Sequence, residues 1–308
     1  MYDLVIIGGG PAGVAAGVYA ARKQLKTFLI AEEFGGQSSV SLEVQNWIGT
    51  PSISGIDFAK ALRAHLETYA GDMVEIRDGE RVVAIEEKKG GGFSVKTSSG
   101  ETHETKTVFV GSGASRRKLE IPGAKEFEQK GVVYCASCDG PLFSGMDTVV
   151  IGGGNAGFES AAQLLAYAKS VTLVNRSERF KADPITVKKV LSNPKVTALL
   201  NSDPVEIRGG AFVSSFVYRD KKTGETKEIP AQGIFVEIGI IPNTAFVKDL
   251  LELDPYSRVV VDPKNQRTTV EGIWAAGACT NELYHQNNIA AGDAVKALED
   301  IYLYVHGK

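Results

Sequence analysis

Cysteine is scarce in this chain, with three residues in 308. That is too few for the disulfide framework of a small secreted scaffold, and it fits a reducing compartment. Histidine offers little more: His65, His103, His285 and His306 stand singly along the sequence. A zinc site takes four ligands, usually two C-x-x-C pairs or one pair with spaced histidines. Neither pattern is present, so no metal site is expected. No sign of charge dominates either, since 34 Lys and Arg face 37 Asp and Glu for a formal net charge of −3. This lacks the basic footprint of a nucleic-acid binder or of an anionic-membrane binder. No apolar run approaches the ~20 residues of a membrane span. The opening MYDLVIIGGG enters an apolar strand pattern without the charged head and cleavage site of a secretory leader. The expectation is a cytoplasmic protein with no nucleic-acid and no membrane partner.

What the chain has in quantity is glycine, 34 residues, concentrated in two similar stretches. In LVIIGGGPAGVAAGVYAAR an apolar strand runs into a tight turn and then an Ala-rich helix, with Gly8, Gly10 and Gly13 spaced as G-x-G-x-x-G. In that pattern the first glycine makes the turn, the second admits a pyrophosphate and the third lets the helix pack on the strand. The helix N-terminus adds unsatisfied N–H groups and a partial positive charge for the phosphates. The next strand, KTFLIAEE, ends in Glu32 and Glu33, where a carboxylate can bind a ribose diol. The pattern returns in DTVVIGGGNAGFESAAQLLAYAKSVTLVNRSERFK, with Gly152, Gly154 and Gly157, about a domain's length further on. Here the strand ends in Asn175 instead of an acid, and Arg176, Arg179 and Lys181 follow. A site without the carboxylate but with nearby cations accepts a 2′-phosphate, which favours NADPH over NADH. Two such sites in one chain predict two cofactors exchanging electrons. The segments following each helix-and-strand unit alternate apolar and polar residues between glycine turns and predict antiparallel meanders. At this length two domains are expected.

The remaining chemistry lies in YCASCDGP, which sets Cys135 and Cys138 two residues apart with Asp139 directly after. A structural disulfide over so short a loop gains little entropy. A redox-active dithiol needs two thiols able to close, one with a depressed pKa, and a nearby proton donor. Cys135, Cys138 and Asp139 meet that description, whereas Cys279 is expected to be a buried packing residue.

These residues carry a resemblance. With both glycine fingerprints, CASCDG, FGGQ, LEVQNWIG, GVVYC, GIFVEIGIIPNT, GIWAAGACT and YHQNNIAAGDAVKA, the chain resembles the low-molecular-weight thioredoxin reductases. It is also similar to the flavoprotein part of the alkyl hydroperoxide reductase system. The likeness runs essentially end to end. It implies an α/β fold of two Rossmann-like, three-layer dinucleotide-binding domains, with the NADPH domain (117–246) inserted into an FAD domain (1–116 and 247–308). Relative rotation of the two domains is a property of that family, as is a homodimer, which light scattering reads directly. FAD contacts are implied for Gly8, Gly10, Gly13, Glu32, Gly36, Gln37, Asn46, Gly113, Gly277, the Ala278 position and Gln286. NADPH contacts are implied for Gly152, Gly154, Asn155, Gly157, Arg176 and Lys181. By the same resemblance Cys138 lies against the flavin, Cys135 attacks the partner disulfide, and Asp139 donates the proton. The implied acceptor is a thioredoxin-like or glutaredoxin-like protein disulfide.

Three positions depart from the family pattern. Ala278 stands where an Asp usually hydrogen-bonds the ribityl chain, a charge-assisted contact worth about 1.5–3 kcal/mol. FAD is then expected to bind about ten- to a hundredfold more weakly. GSGA at 111–114 replaces A-T-G-A but keeps a hydroxyl and the turn glycine. In NRSERFK, Ser177 replaces the second arginine of the usual phosphate-binding run, so NADH remains a candidate donor. Other functional readings stay open. CDGPLF and RFKAD look more like the alkyl hydroperoxide flavoproteins, and a chain beginning at the FAD strand would then need a separate dithiol carrier. A dithiol oxidase of the same fold would release hydrogen peroxide from dithiol alone. A flavin-poor, non-catalytic relative is the reading that Ala278 invites.

Overall fold

Strands buried on both faces read as continuous apolar runs, and LVII, VFV, TVVI and GIFV are such runs. The computed structural model describes residues 1–41 and 44–307. Leu42 and Glu43 of the LEVQNWIG stretch, and Lys308 at the end of the expected FAD domain, lie outside the described residues. In chain order the elements begin with β1 (Tyr2–Gly9), α1 (Pro11–Arg22), β2 (Thr27–Phe34), α2 (Gly55–Ala70), β3 (Val74–Asp78) and β4 (Val82–Glu87). There follow β5 (Phe93–Thr97), β6 (Thr102–Val110), β7 (Ala114–Arg116), β8 (Val132–Val133), α3 (Ala136–Asp139), β9 (Asp147–Ile151) and α4 (Asn155–Leu164). Next come β10 (Ser170–Val174), α5 (Pro184–Leu191), β11 (Val196–Leu199), β12 (Ser202–Gly209), β13 (Val213–Asp220) and β14 (Thr226–Pro230). The chain closes with β15 (Gly233–Val236), β16 (Ile240–Pro242), β17 (Ile273–Ala275) and α6 (Asn287–Val305). Two units emerge: 1–40, 47–115 and 241–308 in one, 41–46 and 116–240 in the other.

The first unit is built on a sheet ordered β3-β2-β1-β6-β5-β4. β3, β2, β1 and the second half of β6 are parallel, and β17 joins that half of β6, also in parallel. The first half of β6 instead pairs antiparallel with β5, and β5 with β4. The meander expected after the first fingerprint is therefore only β4, β5 and the start of β6. Val74–Asp78 extends the parallel sheet, and buried VFV at 108–110 continues it, because an unbroken apolar run can be covered on both sides. Alternate residues feed two cores. Leu4, Ile6, Leu29, Phe109 and Trp274 pack on α1, α2 and α6, with Leu66, Leu298 and Ile301 among the buried partners. Val5, Ile7, Phe28 and Ile30 pack with Val95, Val247, Leu251 and Val259 on the other side.

The second unit repeats the plan. Its five strands run β11-β10-β9-β15-β8, all parallel. Val150, Leu173 and Phe235 pack with Phe158, Leu164 and Val190 of the helices. Val149, Ile151 and Ile234 pack with Phe216 and Tyr218 of the antiparallel sheet β12-β13-β14. β15, at the end of the predicted second meander, returns to the parallel sheet, since all four of its residues are buried. Three layers in each unit make the Rossmann-like α/β architecture. No helix among the described residues is long and apolar enough to cross a membrane.

Candidate active site

Parallel strands put their carboxyl ends on one edge, and ligands of open α/β sheets bind there, where the strand order reverses. In the first unit β1 lies between β2 and β6, so the turn after β1 opens at that reversal. Gly8 sits at φ +115°, and a Cβ added there would fall 2.2 Å from the Gly111 carbonyl oxygen. A Cβ on Gly13 would fall 1.8 Å from the Gly8 carbonyl oxygen. Gly10 differs: its nearest neighbour to an added Cβ is the Gly36 Cα at 3.8 Å, and it caps α1 with no side-chain acceptor, followed by Pro11. The crowded glycines shape the turn, while the open one leaves room for a phosphate group beside the helix end.

Around that opening the structure gathers several residues predicted for FAD. Gly36 lies against Gly10, and the Gln37 amide donates to the Ala114 carbonyl. Gly277, at φ +83°, approaches Ala12 of α1 and Ala290 of α6 within 3.5 Å of an added Cβ. Gln286 caps α6 through its carbonyl, which accepts from Ala290 N–H at 2.9 Å. Gly113 accepts from Asn243 N–H at 3.0 Å. Glu32 lies near the end of β2, which continues to Phe34, and is ion-paired with Arg81 at 2.5 Å. Ala278 is half-buried between Gly277 and Cys279. Asn46 belongs to segment 41–46, which groups with the second unit.

The second unit has its reversal between β9 and β15. A Cβ on Gly152 (φ +135°) would fall 2.1 Å from the Glu237 carbonyl oxygen, and one on Gly157 2.0 Å from that of Gly152. Gly154, the N-cap of α4, would meet nothing within 4 Å and has no side-chain cap. Asn155 ties the helix start to the next loop by accepting from Asp183 N–H at 2.8 Å. Buried Asn175 donates to the Ser177 and Arg179 carbonyls at 3.0 and 2.8 Å, and Lys181 N–H reaches Gly153 O at 2.8 Å. Asn175 thus shapes the loop that holds Arg176 and Lys181, both exposed, next to the glycine turn. Both turns fit a dinucleotide pyrophosphate.

The redox pair stands on the same edge. Phe235 of β15 pairs with Val133 of β8, so Tyr134 and Cys135 leave the sheet beside Glu237, which in turn backs Gly152. Cys135 and Cys138 form a disulfide across one turn of α3, and the Cys135 sulfur accepts from Cys138 N–H at 3.2 Å. Asp139 is 3% exposed, and among the described residues its Oδ1 has no hydrogen-bond partner. Burial pushes its pKa up to about 7, against a smaller lowering by the Arg116 guanidinium. Arg116 donates to the Tyr134 carbonyl and lies 4.0 Å from Glu237, whose other oxygen accepts from Ser160 at 2.7 Å. Cys279 is fully buried, and burial raises its pKa, as a packing residue requires. No metal-holding group occurs among the described residues.

The raised Asp139 pKa predicts a stability profile. The native state keeps this proton to about pH 7, whereas an unshifted carboxyl releases it near 3.8. Stability from this group is therefore fully present below 3.8 and falls as pH rises from 3.8 through about 7. Asp139→Asn should raise the melting temperature at pH 8 and leave it nearly unchanged at pH 3.5. An equal shift at both pH values would show that burial does not hold the proton on Asp139.

Two open glycine turns at sheet reversals, one in the same unit as a dithiol beside a protonatable carboxyl, define a nucleotide-dependent disulfide oxidoreductase. The chain belongs to the pyridine nucleotide-disulphide oxidoreductase family, whose sequence pattern matches residues 2–294. This family uses FAD and NAD(P)H. The chain is 38% identical over 304 residues to an NADH dehydrogenase of Bacillus subtilis, covering 99% of this chain and 58% of that protein. It is 39% identical over 297 residues to an alkyl hydroperoxide reductase subunit of Pseudomonas putida, covering 96% and 56%. The thioredoxin reductase of Streptococcus pyogenes superposes with a TM-score of 0.90 at 35% identity, covering 100% of this chain and 99% of that one. The chain thus spans less than two thirds of the length of the curated relatives it matches.

Sequence reasoning misses Arg116, Glu237 and Ser160. Arg116 falls in a segment that reads only as a domain crossover, and Glu237 in a stretch that carries nothing beyond the family resemblance. Only Glu237 carries a signal, a charge at the end of the apolar run GIFV, which points to a side chain at the carboxyl edge of a buried strand.

Proposed function

We propose that the chain is an FAD-dependent disulfide reductase that passes electrons from NADPH, through FAD and the Cys135/Cys138 dithiol, to a thioredoxin-like protein. The observation that carries this reading is the Cys135–Cys138 disulfide beside buried Asp139, on the same sheet edge as the open Gly154 turn. Residues 1–116 and 247–308 form the FAD domain, and 117–246 the NADPH domain. Gly8, Gly10, Gly13, Glu32, Gly36, Gln37, Asn46, Gly113, Gly277 and Gln286 hold FAD, with Ala278 one carboxylate short. Gly152, Gly154, Asn155 and Gly157 hold the NADPH pyrophosphate, and Arg176 and Lys181 its 2′-phosphate. FAD, when bound, relays two electrons between nicotinamide and dithiol. In the reduced protein the Cys135 thiolate attacks the partner disulfide, forming a mixed disulfide and displacing one partner thiolate. Asp139 protonates that leaving thiolate. Cys138 then attacks the Cys135 sulfur, which restores the internal disulfide and frees the second partner thiol. A pKa of about 7 leaves Asp139 able to give and regain a proton at neutral pH.

A second reading shares every step but the acceptor: a peroxiredoxin fed through a small dithiol carrier. The similarity to the Pseudomonas putida alkyl hydroperoxide reductase protein favours it. An anaerobic spectrum with stepwise NADPH and then NADH comes first. Bands near ~450 nm, the usual flavin region, should bleach at lower NADPH than NADH. Thioredoxin, a glutaredoxin-like protein and a peroxiredoxin couple are then compared as acceptors, and thioredoxin should turn over fastest. Turnover confined to the peroxiredoxin couple would replace the first reading with the second. A protein colourless even with added FAD would revive the non-catalytic reading based on Ala278.

A further inference from the structure

We propose that Arg116 and Glu237 are positioning residues that set the charge of Asp139, with Glu237 drawing the guanidinium away from the acid. This rests on Asp139 being the proton donor in the reaction proposed above.

The geometry restricts what Arg116 can do. Its guanidinium is anchored by donation to the Tyr134 carbonyl, one residue before the redox pair, and it lies 4.0 Å from Glu237. Glu237 is 11% exposed and is itself fixed by Ser160 of α4. Its backbone closes under Gly152. A chain of contacts therefore runs from the nucleotide turn through Glu237 and Arg116 to the segment bearing Cys135, Cys138 and Asp139. Asp139 has an unpartnered buried oxygen, and Arg116 is the one charge that acts on it among the described residues. Tyr134 is held neutral, its pKa pushed up to about 12 first by burial and then by Glu128, and Lys118 lies over its ring at 5.0 Å. Burial, with a smaller contribution from Glu159, raises the Glu237 pKa, against Ser160 and Arg116.

A cation shared between two buried acids stabilises whichever is ionised. With Arg116 tied to the Tyr134 carbonyl and to Glu237, Asp139 is neither locked as a carboxylate, which could not donate, nor left to burial alone, which would keep its proton too tightly for reuse. Ionised Glu237 raises the Asp139 pKa by competing for Arg116. Removing each partner must then move Asp139 in opposite directions. A purely structural role for the pair would move it in one direction or not at all.

The test uses the full-length holoprotein with aspartate carboxyl carbons labelled with 13C, its disulfide reduced by excess dithiothreitol and the protein desalted anaerobically. Carbon NMR follows the Asp139 carboxyl from pH 5 to 9, assigned by its loss in Asp139→Asn. Stopped-flow exchange with an aromatic disulfide gives the pH profile of the dithiol on the same samples. Arg116→Gln should raise the Asp139 midpoint by about one pH unit or more, and Glu237→Gln should lower it by a similar amount. Arg116→Lys should keep the midpoint nearer that of the unaltered protein than Arg116→Gln does. If Arg116→Gln does not fold, Glu237→Gln and Arg116→Lys still decide the direction. Midpoints that stay in place, or both shift the same way, overturn the inference. If both shift as expected but Asp139→Asn leaves the exchange profile unchanged, the pair still sets the charge of Asp139, and the proton-donor role fails instead.

Discussion

Replacing Cys138 with serine should lower NADPH-driven disulfide reduction by on the order of a thousandfold or more, and replacing Cys135 should do the same. The two losses should differ in kind. Cys135 caps α3 and its sulfur accepts the Cys138 N–H at 3.2 Å, a contact that favours a thiolate there. In Cys138→Ser the Cys135 thiolate can still attack the partner, but nothing resolves the product, so a stable mixed disulfide should accumulate. In Cys135→Ser no such adduct should form. Loss of the disulfide itself should barely affect folding, since so short a loop constrains the unfolded chain little. Mass spectrometry of each variant after incubation with oxidised thioredoxin distinguishes the two. An adduct formed by Cys135→Ser and not by Cys138→Ser would reverse the assigned roles, and adducts from neither would remove thioredoxin as the acceptor.

Much of this site is legible in the sequence because its signals are local. Gly8, Gly10 and Gly13 fall within six residues, as do Gly152, Gly154 and Gly157, and the strand and helix flanking each follow from apolar periodicity. Cys135, Cys138 and Asp139 are local in the same sense. What a sequence cannot display depends on pairing between distant segments. The apolar run VFV shows that the end of β6 can be covered on both sides, but where β6 changes from antiparallel to parallel pairing is decided by its distant partners, β5 and then β1 and β17. The Arg116–Glu237 pair escapes for the same reason, as the two residues lie at opposite ends of the second unit in sequence. Asn175 reads in the sequence as a missing acid. Its side chain in fact holds the loop carrying Arg176 and Lys181.

Within each glycine fingerprint, two neighbouring positions should respond to the same substitution in opposite ways. Gly157→Ala places a Cβ 2.0 Å from the Gly152 carbonyl oxygen, and Gly13→Ala places one 1.8 Å from that of Gly8. Backbone on both sides of the clash prevents relaxation without moving helix from strand, so each should cost about 3 kcal/mol or more of stability. Gly154→Ala meets nothing within 4 Å and keeps an ordinary φ of −95°, so the fold should lose only a few tenths of a kcal/mol at the helix cap. Its methyl group would instead occupy the space beside the α4 N-terminus, which the proposed function assigns to the NADPH pyrophosphate. NADPH affinity should fall by about ten- to a hundredfold, with flavin retained and the melting temperature nearly unchanged. Gly10→Ala, whose nearest contact is 3.8 Å away, should produce the matching result in the first unit, a folded protein that loses flavin and keeps nicotinamide binding. Melting curves and anaerobic titrations of the four variants separate stability from affinity at each turn. Should Gly154→Ala bind NADPH as tightly as the unaltered chain, the pyrophosphate does not lie against that turn. Should it instead lose flavin, the two cofactors have been assigned to the wrong fingerprints.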